Sequence, residues 1–229
     1  MTTRTLVAAA FFFIAPALGA QKAPDIRPYL TAHRAEEVAL ARTAAPPNVS
    51  ANATVLVLTP KGYVEAVHGT NDFTCMVFRS FAGSPDDPKF WNPKTVAPQC
   101  MNGPSTRTVL PTIMAKIEWA LAGATPTELK ARIARGYADR KFARPAPGAM
   151  AYMLSPKQYL SDENPHWMPH LMFYYDRQAL TGASFGAADE KSPIIDASPV
   201  DSKGAMTVIY IPTRAWSDGT HAVMQAPGK

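Results

Sequence analysis

Two histidines four positions apart, His166 and His170, carry the spacing of this chain that most resembles a metal motif. On one face of a helix, positions i and i+4 bring two imidazole nitrogens to a single ion. The surrounding segment reads Asp162-Glu163-Asn164-Pro165-His166-Trp167-Met168-Pro169-His170-Leu171-Met172-Phe173-Tyr174-Tyr175. Pro169 falls inside any such helix, where its ring clashes with the preceding turn. In an extended chain the two rings stand about 13 Å apart, too far to share an ion. A divalent metal at His166 and His170 therefore needs a turn made by the two prolines, with Asp162, Glu163, His68 or His221 as a third ligand. The simpler reading is a histidine hydrogen-bonded at the mouth of a strand, with no cofactor. His166, Trp167 and His170 are then the residues expected to meet a small ligand.

A second pattern is nucleophilic. Gly182-Ala183-Ser184-Phe185-Gly186 matches the Gly-x-Ser-x-Gly elbow of serine hydrolases, and Asp196 or Asp201 followed by His221 keeps the chain order of a catalytic triad. That elbow needs a strand running directly into it and a helix leaving it. Asp176 to Thr181 intervenes before the motif, and Glu190 to Pro193 leaves little room for a helix after it. Cys75 and Cys100 are the only cysteines. A nucleophilic thiol needs a free cysteine near a histidine, whereas an even pair in an oxidising compartment reads as a disulfide.

These residues need elements to hold them. Asp25 to Ala41 has the pattern of a helix, with Glu36 and Glu37 expected on its exposed side. Thr54 to Thr59, Tyr63 to His68 and Phe73 to Ser80 alternate as strands and read as a three-stranded antiparallel meander. Phe81 to Gly103 reads as loop, because Pro85, Pro88, Pro93 and Pro98 argue against a helix or a central strand. Phe90 and Trp91 are expected to fold inward there, with the disulfide tying the loop to the sheet. Thr108 to Ala122 places Leu110, Ile113, Met114, Ile117 and Leu121 on one helical stripe, with Glu118 at its rim. Thr125-Pro126-Thr127-Glu128 is a capping box that opens a further helix to about Phe142. Ala149 to Leu154, His170 to Tyr175 and Met206 to Ile211 complete the strands. Both faces of His170 to Tyr175 are apolar, which predicts a central strand covered on both sides. A pocket lined by Phe173, Tyr175 and methionines is compatible with that placement.

The expected fold is α+β: a mostly antiparallel sheet of about six strands with about three packed helices, forming a single domain over residues 21–229. Residues 1–20 stand apart. Arg4, the apolar run from Leu6 to Leu18 and the small residues Ala17-Leu18-Gly19-Ala20 compose a secretory signal peptide cleaved before Gln21. That run is too short to span a bilayer, and no later stretch is longer. The predicted location is secreted or periplasmic. The net charge of +5, from 23 basic and 18 acidic residues, falls to +4 once Arg4 is removed. With no nucleic-acid-binding signature, nucleic acid is not expected as a partner. The 47% hydrophobic content belongs to a folded chain, not a disordered one.

From about Ala35 onward the chain resembles a group of secreted bacterial proteins with no assigned activity. The residues that carry this resemblance are Phe90-Trp91-Asn92-Pro93-Lys94, Glu118-Trp119, Pro147-Gly148-Ala149-Met150 with Tyr152-Met153, the run from His166 to Phe173, and Trp216-Ser217-Asp218-Gly219-Thr220. The resemblance implies bacterial export and transfers no catalytic residue. Two functions remain in view. One is an exported protein binding a small ligand or envelope partner; the other is a hydrolase, metal-dependent through His166 and His170 or serine-dependent through Ser184.

Overall fold

A computed structural model describes residues 25–162, 167–186, 192–196 and 205–222. Helices and strands coexist, as expected, but the sheet is wider than six strands. Its elements are β1 (Thr54–Thr59), β2 (Gly62–Val67), β3 (Thr74–Phe78), β4 (Ala97–Met101), β5 (Met150–Met153), β6 (His170–Asp176), β7 (Ile195–Asp196) and β8 (Met206–Pro212). They line up as β2-β1-β3-β4-β5-β6-β8-β7. Five α-helices occur among the described residues, rather than three: α1 (Arg34–Arg42), α2 (Pro47–Ser50), α3 (Gly103–Thr108), α4 (Leu110–Leu121) and α5 (Pro126–Ala138).

Strand alternation divides the core into two. Val55, Val57, Cys75, Val77 and Cys100 point to one face and meet Ala41 of α1 with Ala44 and Ala45. Met76, Phe78, Met101, Met153, Met172 and Tyr174 point to the other. On that second face α4 lies against β2 and the 3-10 turn Ser80–Ala82, α5 lies against α4, and α3 sits beside β4 and β5. Thr125 caps α5 in the expected box: its hydroxyl accepts from the Glu128 amide, while the Glu128 carboxylate accepts from the Thr125 amide at 2.8 Å.

The N-terminal helix is broken in two. A 3-10 turn covers Arg27–Tyr29, Leu30 is extended, and α1 starts only after His33. Nor is Glu37 an exposed residue: it is 2% exposed and paired with Arg79. The meander is also not wholly antiparallel. β2 pairs antiparallel with β1, but the chain then returns to the start of β1, and β3 runs parallel to it. The return is held by the Asn52 carbonyl, which accepts from Thr70 N at 2.8 Å, and by the Val49 carbonyl, which accepts from the Asn71 carboxamide at 2.8 Å.

The largest correction is β4, a central strand inside the stretch read as loop. Pro98 pairs with Val77 across the β3–β4 ladder. The Val77 carbonyl accepts the Tyr63 hydroxyl at 2.6 Å and so points away from β4. Pro98 and Val77 thus form a non-hydrogen-bonded pair, and the donor that proline lacks faces the β5 side. There the ladder involves only Cys100 and Met101, so no bond is lost. Cys75 and Cys100 occupy the next pair of the same type, with Cα atoms 4.0 Å apart and a disulfide between them. The bridge joins two neighbouring strands rather than a loop to a sheet.

The predicted helix from Thr108 begins earlier and divides at Val109, because Pro111 has no amide to donate back into the preceding turn. Its rim carboxylate Glu118 is exposed. β6 is interior, between β5 and β8. Only its His170, Met172 and Tyr174 face is buried; Leu171, Phe173 and Tyr175 are half-buried, and Ile211 on neighbouring β8 is 39% exposed. The strand is fully covered on one side and partly on the other, where Phe185 packs on Tyr175.

Candidate functional site

β4, β5, β6 and β8 present Gln99, Met153, Met172, Tyr174, Val208 and Tyr210 as the floor of a cavity of about 590 Å³. One wall is the segment 79–89 after β3, where Ala82, Ser84 and Pro88 face the space. Leu160, Ser161 and Trp167 form the opposite wall. At one end the walls are joined by a two-residue bridge, in which Val96 and Tyr159 exchange backbone hydrogen bonds of 2.7 and 2.8 Å. Thr95 Oγ1 adds a bond to the Leu160 carbonyl at 3.1 Å. Behind the first wall, buried Phe90 packs on Trp91 and Phe81 on Tyr29, whose hydroxyl donates to the Trp91 carbonyl at 2.7 Å. That is the inward plug expected of Phe90 and Trp91.

The α4 helix fastens the wall to the core. Lys116 Nζ donates to the carbonyls of Ala82 at 2.5 Å and Gly83 at 2.7 Å. From α5, Lys130 pairs with Asp86 at 2.6 Å. The opposite wall is tethered by Gln158, fully buried, whose carboxamide donates to the Trp167 carbonyl.

His170 stands at the end of this floor and is 1% exposed. Its ring lies 4.8 Å from Trp167 and 4.9 Å from Tyr210, which are themselves 5.0 Å apart, so the three rings pack as one cluster. Nδ1 lies 2.8 Å from the Met168 carbonyl. A carbonyl only accepts, so Nδ1 carries the proton and Nε2 is a bare lone pair. Nε2 is buried and has no partner among the described residues. Burial lowers the imidazole pKa to about 4, against the smaller opposing effect of the Met168 bond. The ring is neutral at physiological pH.

His166 lies outside the described residues, as do Glu163 and Asp201. Of the other suggested metal ligands, Asp162 pairs with Lys94 at 3.2 Å and accepts the Tyr159 hydroxyl. His68 contacts Glu65 at 3.1 Å, and His221 is exposed in a bridge with Ala215. Among the described residues no group of three or more His, Cys, Asp or Glu side chains is arranged to hold an ion.

The Gly-x-Ser-x-Gly match has a local explanation. Gly182–Phe185 is a 3-10 turn in which Ser184 caps Thr181, its Oγ lying 3.3 Å from both Thr181 N and Thr181 Oγ1. Gly182 is required because a Cβ there would collide with the Asp196 carboxylate, and Gly186 ends the turn at φ 67°. Both glycines and the serine thus answer to turn geometry, and Ser184 faces solvent.

Of the residues expected at a ligand site, Trp167 lines this cavity, His170 packs against Trp167 outside its lining, and Gln99, Met153, Tyr174 and Tyr210 were not among them. A pocket lined by Phe173 and Tyr175 is compatible with the sequence, whereas this cavity lies on the opposite face of β6. The one available signal was Gln99, a polar residue between Ala97 and Met101, hidden by the loop assignment that Pro98 prompted. No protein family, curated protein or solved structure matches this chain.

Proposed function

We propose that this chain is an exported binding protein for a small, largely apolar molecule, taken up between the β4–β5–β6–β8 floor and the 79–89 wall. The cavity carries the reading. At about 590 Å³ it falls within the range of small-molecule sites. Its floor is methionine, tyrosine and valine with one glutamine, the mixture of adaptable apolar surface and few polar groups that such sites use. Export is supported by the signal-like residues 1–20 and by the disulfide, which suits an oxidising compartment. No helix among the described residues is long and apolar enough to cross a membrane.

A neutral hydrophobic dye, N-phenyl-1-naphthylamine, tests the cavity. Fluorescence titration of wild type should show saturable binding. Ala82→Trp, which fills the space from a half-buried wall position, should weaken it at least about tenfold while leaving the melting temperature close to wild type. Undiminished binding by that variant sinks the reading. Export has its own test: N-terminal sequencing of protein recovered from a bacterial envelope extract should begin at Gln21, and an intact N-terminus with Arg4 still present counts against it.

A further inference from the structure

Two polar groups on the cavity floor have no adequate partner. Gln99 stands at an inward position of β4, and its carboxamide makes one hydrogen bond among the described residues, to Met153 Sδ at 3.9 Å. Tyr174, 5% exposed, directs its hydroxyl among the described residues only to Met172 Sδ at 3.6 Å. A thioether sulfur is a weak acceptor, so buried Tyr174 lacks the strong hydrogen bond that usually compensates burial, and half-buried Gln99 has only a weak partner among the described residues. A floor serving only as packing would hold Leu or Met at these positions. Both side chains line the cavity.

We infer that the ligand is a flat, uncharged molecule with an amide-like hydrogen-bonding edge, which Gln99 and Tyr174 receive in exchange for their sulfur contacts. Met153 and Met172 hold the two groups in readiness and yield when the ligand arrives, as unbranched thioethers can. The ring of Trp167 on the opposite wall offers the flat ligand a stacking surface. The anchors themselves are neutral. A glutamine amide carries no charge, and burial, with the neighbouring Tyr210 as a smaller cause, pushes the Tyr174 hydroxyl far above its usual pKa. Neither Gln99 nor Tyr174 would supply a counter-charge to a formally charged edge.

This inference rests on the cavity being a ligand site, and the experiment separates the two. Three naphthalenes of similar size compete with N-phenyl-1-naphthylamine: 2-naphthamide, 2-isopropylnaphthalene and 2-naphthoate. The readout is the ratio of amide to hydrocarbon affinity in wild type against variants, which cancels their different hydrophobicity. Gln99→Met keeps the side-chain volume and removes the amide; Tyr174→Phe removes only the hydroxyl. Each should shift the ratio against 2-naphthamide by about three- to tenfold, the dye affinity of each variant being measured directly to set its competition constants. The anion should compete less well than the amide in wild type. Unchanged ratios in both variants, or naphthoate binding better than naphthamide, overturn the inference while the cavity reading stands. Failure of the dye to bind wild type removes both.

Discussion

A histidine kept neutral by burial makes stability depend on pH with a definite sign. In the unfolded chain the His170 ring takes up its proton near pH 6.5, in the folded chain only near pH 4. Between these values the unfolded state binds more protons, so stability rises with pH across the window and falls as acid is added. The contribution is complete above the unfolded pKa and gone once the pH reaches the folded one, a span of about 3 kcal/mol. Thermal melts from pH 7 to about pH 4 should therefore show wild type losing more stability than His170→Met, whose side chain does not titrate. Parallel curves would mean that His170 is not the titrating group. A second residue-scale case is Glu37 and Arg79, with side chains each 3% exposed and 2.6 Å apart. Thr31 Oγ1 donates to the same carboxylate oxygen, while Glu37 Oε1 and Arg79 Nε are buried without partners among the described residues. Removing one member of such a pair strands the other, so Arg79→Met should lose about 3–5 kcal/mol in urea unfolding. The double variant Glu37→Met with Arg79→Met should be more stable than Arg79→Met alone; a simple sum of the two single losses would deny the coupling. Nothing local announces this pair. Glu37 shares the Ala41 side of α1 and Glu36 does not, but the partner that makes Glu37 a buried charge lies 42 positions away.

At the scale of elements the disulfide and β4 depend on each other. Cys75 and Cys100 close a loop of 25 positions, for which the chain-entropy estimate gives about 3–4 kcal/mol. The double variant Cys75→Ala with Cys100→Ala should melt lower by a corresponding margin, and reductant should lower wild type but not the variant. Equal sensitivity of both proteins to reductant would break the assignment. Short apolar, β-branched and aromatic runs bounded by turn residues were enough to locate β1, β2, β3, β5, β6 and β8 within a residue or two. The capping box located α5 for a similar reason: both partners of its hydrogen bonds lie within one turn. β4 escaped because proline was weighed as a lost donor, whereas the cost depends on which side of the ladder the donor would face. That is a property of register with Val77, not of the five residues from Ala97 to Met101. The parallel pairing of β1 and β3 escaped likewise, since the return through Thr70 and Asn71 is set by contacts to Val49 and Asn52.

The whole molecule explains why there is a cavity at all. Eight strands span about 34 Å across the sheet, while two helices side by side cover about 20 Å. α4 and α5 lie toward the β2 side, so the face of β5, β6 and β8 is left to irregular chain. Loops pack on a sheet less completely than helices do, and the space between the 79–89 wall and the floor is the result. Its lining comes from five strands, a helix and two loops, which no single stretch of sequence can reveal. The wall's position then depends on what fastens it, chiefly Lys116 of α4 on the carbonyls of Ala82 and Gly83. Lys116→Met keeps the aliphatic stem and removes those bonds, so the wall should loosen while α4 stays in place. Stopped-flow dissociation of bound N-phenyl-1-naphthylamine should become about three- to tenfold faster, with a stability loss of about 1–2 kcal/mol. Lys130→Met, which removes only the exposed pair with Asp86, should change stability by less than about 1 kcal/mol. If the two variants release the dye at the same rate as wild type, the wall is not the gate, and entry must lie on the Trp167 side, where Gln158 holds the chain.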